Sequence, residues 1–153
     1  MITYLKGDAT YPQGDGNKII AHICNDVGGW GAGFVLAISA RWPLPEQRYR
    51  EWHYSKHDSF KLGSVQFIGV ENTLWVANII GQHGIGYGWL GTPPIRYDAV
   101  SEALKKIDKF AKHNKASVHM PRIGCGLAGG KWDDIEKLIT SNLEVEVFVY
   151  DLV

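Results

Sequence analysis

The chain has 153 residues, the size of one domain with one core, and its 45% apolar and 21% charged residues exclude a disordered, collagen-like or coiled-coil protein. Sixteen Lys+Arg against 16 Asp+Glu leave a net charge of zero, which argues against a nonspecific nucleic-acid binder held by counterion release. Cys24 and Cys125 are the only cysteines, no apolar run reaches ~18 residues and no leader pattern opens the chain, so a cytoplasmic protein with free thiols and no membrane partner is expected.

In chain order, Ile2–Lys6 alternates and stops at Gly7-Asp8, predicting a strand that opens into a turn-rich segment. Residues 18–24 form a nearly continuous apolar run, the pattern of a strand buried on both faces. It discharges into Asn25-Asp26-Val27-Gly28-Gly29-Trp30-Gly31-Ala32-Gly33, after which Phe34 to Ile38 is apolar all round, as in a buried helix ended by Trp42-Pro43. Pro45 suits a first helical turn, and residues 46–55 read as an exposed helix carrying Tyr49 and Trp52 inward. Residues 64–70 and 74–80 are β-rich and separated by Glu71-Asn72-Thr73, which predicts an antiparallel hairpin. From 96 to 114, Ala99, Val100, Ala103, Leu104, Ile107, Phe110 and Ala111 recur at three and four, predicting an amphipathic helix. A short strand at 117–120, a helix at 132–140 begun by Asp133-Asp134 and a closing strand at 145–150 complete the series. Strands alternating with helices predict a single domain over 1–153: a three-layer α/β/α sandwich around a mixed, mostly parallel sheet of about six strands.

Two glycine-rich loops each follow a buried strand and precede a helix, so both emerge at the carboxyl edge of the sheet if those strands are parallel. The second, Gly124-Cys125-Gly126-Leu127-Ala128-Gly129, matches G-x-G-x-x-G, with Glu144 at the ribose-reading distance, and raises a dinucleotide-binding oxidoreductase domain as one alternative. The context speaks against it, because only one strand follows where two βαβαβ halves are required. The physics of the loops survives: glycines let backbone N–H groups approach a phosphate, and a helix start adds about half a positive charge. Neither loop contains a cationic residue; Arg122 and Lys131 flank the second. A side chain at Gly126 is expected to block that approach and to strain a positive φ.

Gly7-Asp8, His22-Ile23-Cys24-Asn25 leading into Gly28-Gly29-Trp30-Gly31-Ala32-Gly33, Pro121-Arg122-Ile123-Gly124-Cys125-Gly126-Leu127 and the terminal Val149-Tyr150-Asp151-Leu152 together resemble a macrodomain, the ADP-ribose-binding module, in order over nearly the whole chain. They are most similar to the branch of the terminal ADP-ribose protein glycohydrolases and the ADP-ribose 1''-phosphate phosphatases. The resemblance implies that Asp8 accepts a hydrogen bond from the adenine amino group beside the Ala9 amide, and that Tyr150 and Leu152 complete the adenine pocket. It further implies that Gly31, Ala32 and Gly33, with Ile123, Gly124, Cys125, Gly126 and Leu127, cradle the diphosphate and distal ribose, which Asn25 faces.

Glycohydrolases of this branch use a lysine in a loop after the central strand and an aspartate directly after Ile-Gly-Cys-Gly-Leu. Here the second position is Ala128, and no lysine occurs between Lys61 and Lys105. Asn25, Asp26 and His22 remain near the implied distal ribose, and His83 lies on a glycine-rich loop that could close over a ligand. Asp26 could orient a water, with His83 or His22 as acid or base. Each has a plainer reading: His22 as a packed core residue, Asp26 as a loop opener, His83 as merely exposed, and Cys125 as a small loop residue. No metal and no cofactor are expected. The expected activity is binding of ADP-ribose, or of an ADP-ribosylated small molecule or protein, with hydrolysis of such a derivative; the alternative is a noncatalytic reader.

Overall fold

The computed structural model describes residues 1–153, with β1 (Ile2–Lys6), β2 (Asn17–Asn25), α1 (Phe34–Arg41), α2 (Leu44–Ser55), β3 (Val65–Glu71), β4 (Leu74–Gln82), α3 (Tyr97–His113), β5 (Ala116–Met120), α4 (Trp132–Asn142) and β6 (Val147–Asp151) in chain order. The strands form one sheet in the order β1-β6-β5-β2-β4-β3, in which every neighbouring pair is parallel except the β3–β4 hairpin. This is the mixed six-stranded sheet expected, and its order is not that of two βαβαβ halves, so the dinucleotide alternative loses its scaffold. No helix is long and apolar enough to cross a membrane.

The continuous apolar run of β2 is explained by its place in the middle of the sheet, with both faces covered. Ile19 and Ala21 enter the larger core, under α3 and α4, whereas Ile20 and Cys24 enter the smaller one, under α1 and α2. Three layers result. The period of three and four in α3 places Ala99, Val100, Ala103, Leu104, Ile107 and Ala111 against the sheet, and Phe110 stacks on Phe67 of β3 with ring centroids 3.9 Å apart. Periodicity did not anticipate the buried Asp108, whose carboxylate accepts the Glu144 N–H at 2.8 Å and pairs with Lys112 at 2.9 Å. Strand β6 begins at Val147, not 145, since only from there does it pair with both β1 and β5.

Candidate functional site

Adjacent parallel strands β2 and β5 end at one edge of the sheet, so the two glycine loops leave it side by side, as their strand–loop–helix patterns required. A third segment, residues 83–94 after β4, lies across them. The three enclose a cavity of about 780 Å³. That size suits a drug-sized or nucleotide-sized ligand.

The first loop contributes Gly29 to Gly33, together with Phe34 and Val35 at the start of α1, whose first-turn N–H groups lack intrahelical partners. The second contributes Ile123, Gly124, Gly126, Leu127 and Ala128, while the start of α4 stays outside the walls. Only one of the two anticipated helix termini therefore serves the cavity. Ile85, Gly86 and Tyr87 roof it, and Arg122 is the only wall residue whose side chain is charged at neutral pH.

Glycine is used differently from position to position. An added Cβ at Gly31 or Gly126 would meet nothing within 4 Å, and neither has a positive φ. Strain in the second loop is instead confined to Gly124 (φ 74°), where a Cβ would stand 2.8 Å from Ile95 Cδ1, and Gly129 (φ 76°). The expected backbone strain at Gly126 is thus corrected: its openness faces whatever enters the cavity. Gly29 and Gly129 make room for the roof, since a Cβ there would strike Ile85 Cδ1 (2.8 Å) and the Tyr87 hydroxyl.

Asn25 lines the cavity, but its amide mostly braces the first loop. Its Oδ1 accepts the N–H groups of Val27 and Gly29, each at 3.0 Å, and the Tyr49 hydroxyl at 2.9 Å, while its Nδ2 donates to Gly29 O at 2.9 Å. Burial raises the Tyr49 phenol, which stays protonated as that donor. Asp26 and His83 stand beyond the walls, paired to each other. Asp26 Oδ2 lies 2.7 Å from His83 Nδ1, and its Oδ1 accepts the Gly84 N–H at 2.8 Å, pinning the roof segment to the first loop. His83 N–H donates to Pro94 O at 2.8 Å, so the segment is held at both ends.

His22 also lines the cavity, at 1% exposure, edge-on to Trp30 at 5.4 Å. Burial lowers its pKa to about 4, so it is neutral at pH 7. Cys125 lies outside the walls with its Sγ against Ile123 O at 3.5 Å, and burial pushes its thiol up, away from thiolate chemistry.

Asp8, Ala9, Tyr150 and Leu152 share the carboxyl edge but gather beside β1 and β6, outside the cavity walls. Asp8 Oδ1 accepts the Thr10 N–H and hydroxyl, both at 2.8 Å. Ala9 is buried and Leu152 exposed. Tyr150 is buried too, and its phenol takes the Gln13 N–H at 2.8 Å and meets His119 Nδ1 at 2.7 Å. Arg122 links this cluster to the cavity. Its guanidinium donates to both carboxylate oxygens of Asp151 (2.7 and 3.0 Å) and lies 5.2 Å from the ring centroids of Tyr4 and Trp132.

The roof belongs to the glycine-rich loop of His83 that the sequence marked as able to close over a ligand, whereas nothing in the sequence announced this clamp. Within that loop the roof is formed by Ile85 and Tyr87, apolar residues set among glycines where a solvated loop is normally polar.

No family model matches the chain. Among solved structures it is similar to a protein of unknown function from Bacteroides thetaiotaomicron, 59% identical with a TM-score of 0.97, covering 99% of this chain and 98% of that one. It is also similar to a macrodomain protein from Streptomyces coelicolor, 51% identical with a TM-score of 0.86 over 99% of both chains. Among curated relatives, chromodomain-helicase-DNA-binding protein 1-like of Danio rerio is 36% identical over 93% of this chain, which spans only 14% of that protein's length. An ADP-ribose 1''-phosphate phosphatase of Candida albicans is 27% identical, over 97% of this chain and 99% of its own. With the six-stranded mixed sheet, the paired glycine loops and half of its residues shared along the full length of the Streptomyces coelicolor protein, this chain belongs to the macrodomain family.

Proposed function

We propose that the chain binds ADP-ribose in the cavity between its glycine loops and hydrolyses an ADP-ribose derivative there, ADP-ribose 1''-phosphate or ADP-ribose linked to a protein. The observation that carries the reading is the pair of glycine loops at adjacent parallel strand ends, opening with bare backbone at Gly31 and Gly126 onto one cavity walled by a single charged side chain. Such a site holds a diphosphate through amides and a helix start, with no need of a lysine cluster. The name of the Candida albicans relative supports the hydrolytic half.

Asp26 and His83 are the acid–base candidates, a carboxylate and an imidazole in direct hydrogen bond on the loops that frame the ligand. Asn25 sets the shape of the first loop against the distal ribose. Asp8, Ala9, Tyr150 and Leu152 serve the adenine end, which extends beyond the cavity along the sheet edge toward β6. One observation favours a noncatalytic reader instead: Ala128, a buried methyl in the cavity wall, stands where glycohydrolases of the resembling branch place an aspartate.

Calorimetric titration decides binding, with ADP-ribose expected at micromolar affinity, about −8 kcal/mol, and ADP weaker. Absence of any thermal shift at millimolar ADP-ribose would end the reading. Phosphate release from ADP-ribose 1''-phosphate, and release of ADP-ribose from a modified protein, separate the two substrates; binding without either product establishes the reader.

A further inference from the structure

Just past the end of β1, two unpaired polar groups stand side by side. The Asp8 carboxylate uses one oxygen inside the protein: Oδ1 accepts both the N–H and the hydroxyl of Thr10, each at 2.8 Å, and Oδ2 has no partner. The Ala9 N–H likewise donates to no group of the protein. An acceptor beside a donor is complementary to the amino and N1 edge of adenine. What holds that edge in place comes from another element. Thr10 is buried, and its C=O accepts a hydrogen bond from Nη1 of Arg41, the last residue of α1. The same guanidinium lies 4.0 Å from the ring centroid of Tyr11 and 4.3 Å from that of Trp42. Its Nη2 is 3.5 Å from Glu71 Oε2, which also accepts the Trp42 Nε1–H at 3.2 Å. One planar cation thus joins Thr10 and Tyr11 to α1 and to the end of β3. With its side chain only 24% exposed, water competes poorly for these contacts.

We propose that Arg41 is a positioning residue for the adenine end: by fixing Thr10 it fixes the direction of Asp8 Oδ2, and so sets a preference for a 6-amino purine over a 6-oxo purine. The proposal rests on the ADP-ribose reading, with Asp8 facing adenine, and adds to it a residue outside the cavity and both glycine loops. A lone carboxylate can rotate to regain a lost partner; the two donors of Thr10 remove that freedom, and Thr10 keeps its own place while its carbonyl is held. Hypoxanthine presents an oxygen where adenine has its amino group, and an N1–H where adenine has a lone pair, so both groups of a fixed edge reject it. A segment free to shift would let the carboxylate turn toward the N1–H and lose the discrimination. Arg41 also ends the helix whose first turn borders the cavity, so the adenine edge and the first glycine loop are registered on one rigid element.

The test uses the intact protein and two ligands titrated by calorimetry, ADP-ribose and its inosine counterpart, in which an oxygen replaces the 6-amino group. The parent is expected to prefer ADP-ribose by about tenfold or more. Arg41→Met, which keeps an apolar stem and loses the fork, should weaken ADP-ribose about tenfold and change the inosine compound less than about twofold, so that the preference collapses. Arg41→Lys, whose ammonium reaches some of these partners but not all, should lose about threefold of the preference. In the Arg41→Met background, Asp8→Ala should cost ADP-ribose less than about a further twofold, since the two residues act through one contact. Equal weakening of both ligands in Arg41→Met would make Arg41 a support of the fold alone, and an unchanged preference would show that Asp8 does not depend on it. Either result overturns the proposal while the ADP-ribose reading stands, as does a parent that binds both ligands equally. If the parent binds neither ligand, the ADP-ribose reading itself fails and the proposal falls with it. Should Arg41→Met not fold, Arg41→Lys decides, and an unchanged preference there overturns the proposal.

Discussion

At the scale of single residues, the second loop separates glycines that the packing requires from one that borders open space. A Cβ on Gly130 would lie 2.5 Å from Gly124 O, a backbone atom that cannot move aside, whereas one on Gly126 would enter open space. Gly130→Ala is therefore expected to destabilise the fold by about 1–3 kcal/mol. Gly126→Val should leave stability within about 0.5 kcal/mol and weaken ADP-ribose by tenfold or more, because the added methyls occupy the approach to the loop amides. Denaturant titration and calorimetry of both variants check this. A Gly126→Val protein that binds like the parent would remove the loop from the site.

At the scale of elements, Asp26 ties the roof segment to the first loop, and the proposed catalytic role predicts an outcome different from tethering alone. An amide in its place can still accept the Gly84 N–H but cannot serve as a base or balance a histidinium. Asp26→Asn is expected to retain ADP-ribose affinity within about threefold and to lose hydrolysis by 10²-fold or more, whereas Asp26→Ala should lose both as the roof is released. Equal hydrolysis by the parent and Asp26→Asn would reduce Asp26 to a tether.

Strands β2 and β5 carry a second consequence of burial. His22 and His119 are both held to a pKa of about 4, by burial in each case and, for His119, also by the charge of Lys18. An unfolded histidine titrates near 6.5. The folded pKa lies below the unfolded one, so the unfolded state binds more protons; the stabilisation is present above about pH 6.5 and is lost as pH falls toward 4. The two imidazoles together are expected to reduce unfolding free energy by about 3 kcal/mol between pH 7 and pH 5, read from urea titrations at the two values. A flat profile over that range would show that these rings are protonated in the fold or exposed to solvent.

At the scale of the whole molecule, zero net charge and a cavity with one charged wall residue predict a shallow salt dependence. ADP-ribose affinity should fall less than about threefold between roughly 50 and 200 mM salt, and Lys131→Ala, which removes an exposed ammonium outside the walls, should cost less than about 1 kcal/mol. A steep salt slope, or loss of binding in Lys131→Ala, would mean that cations, not amides, hold the diphosphate.

Much of this architecture is written in local pattern. The apolar run of β2, the three-and-four spacing of α3 and the turn between β3 and β4 each follow from burial or chain reversal within a few residues, and both glycine loops declare themselves by composition. What lies between elements does not. The Asp26–His83 pair joins residues 57 apart, the Asn78 amide that meets His22 stands 56 residues away, and Tyr49 crosses from α2 to brace Asn25. No periodicity encodes such meetings. They arise because a parallel sheet brings distant strand ends to one edge, and only the packed order β5-β2-β4 decides which loops become neighbours.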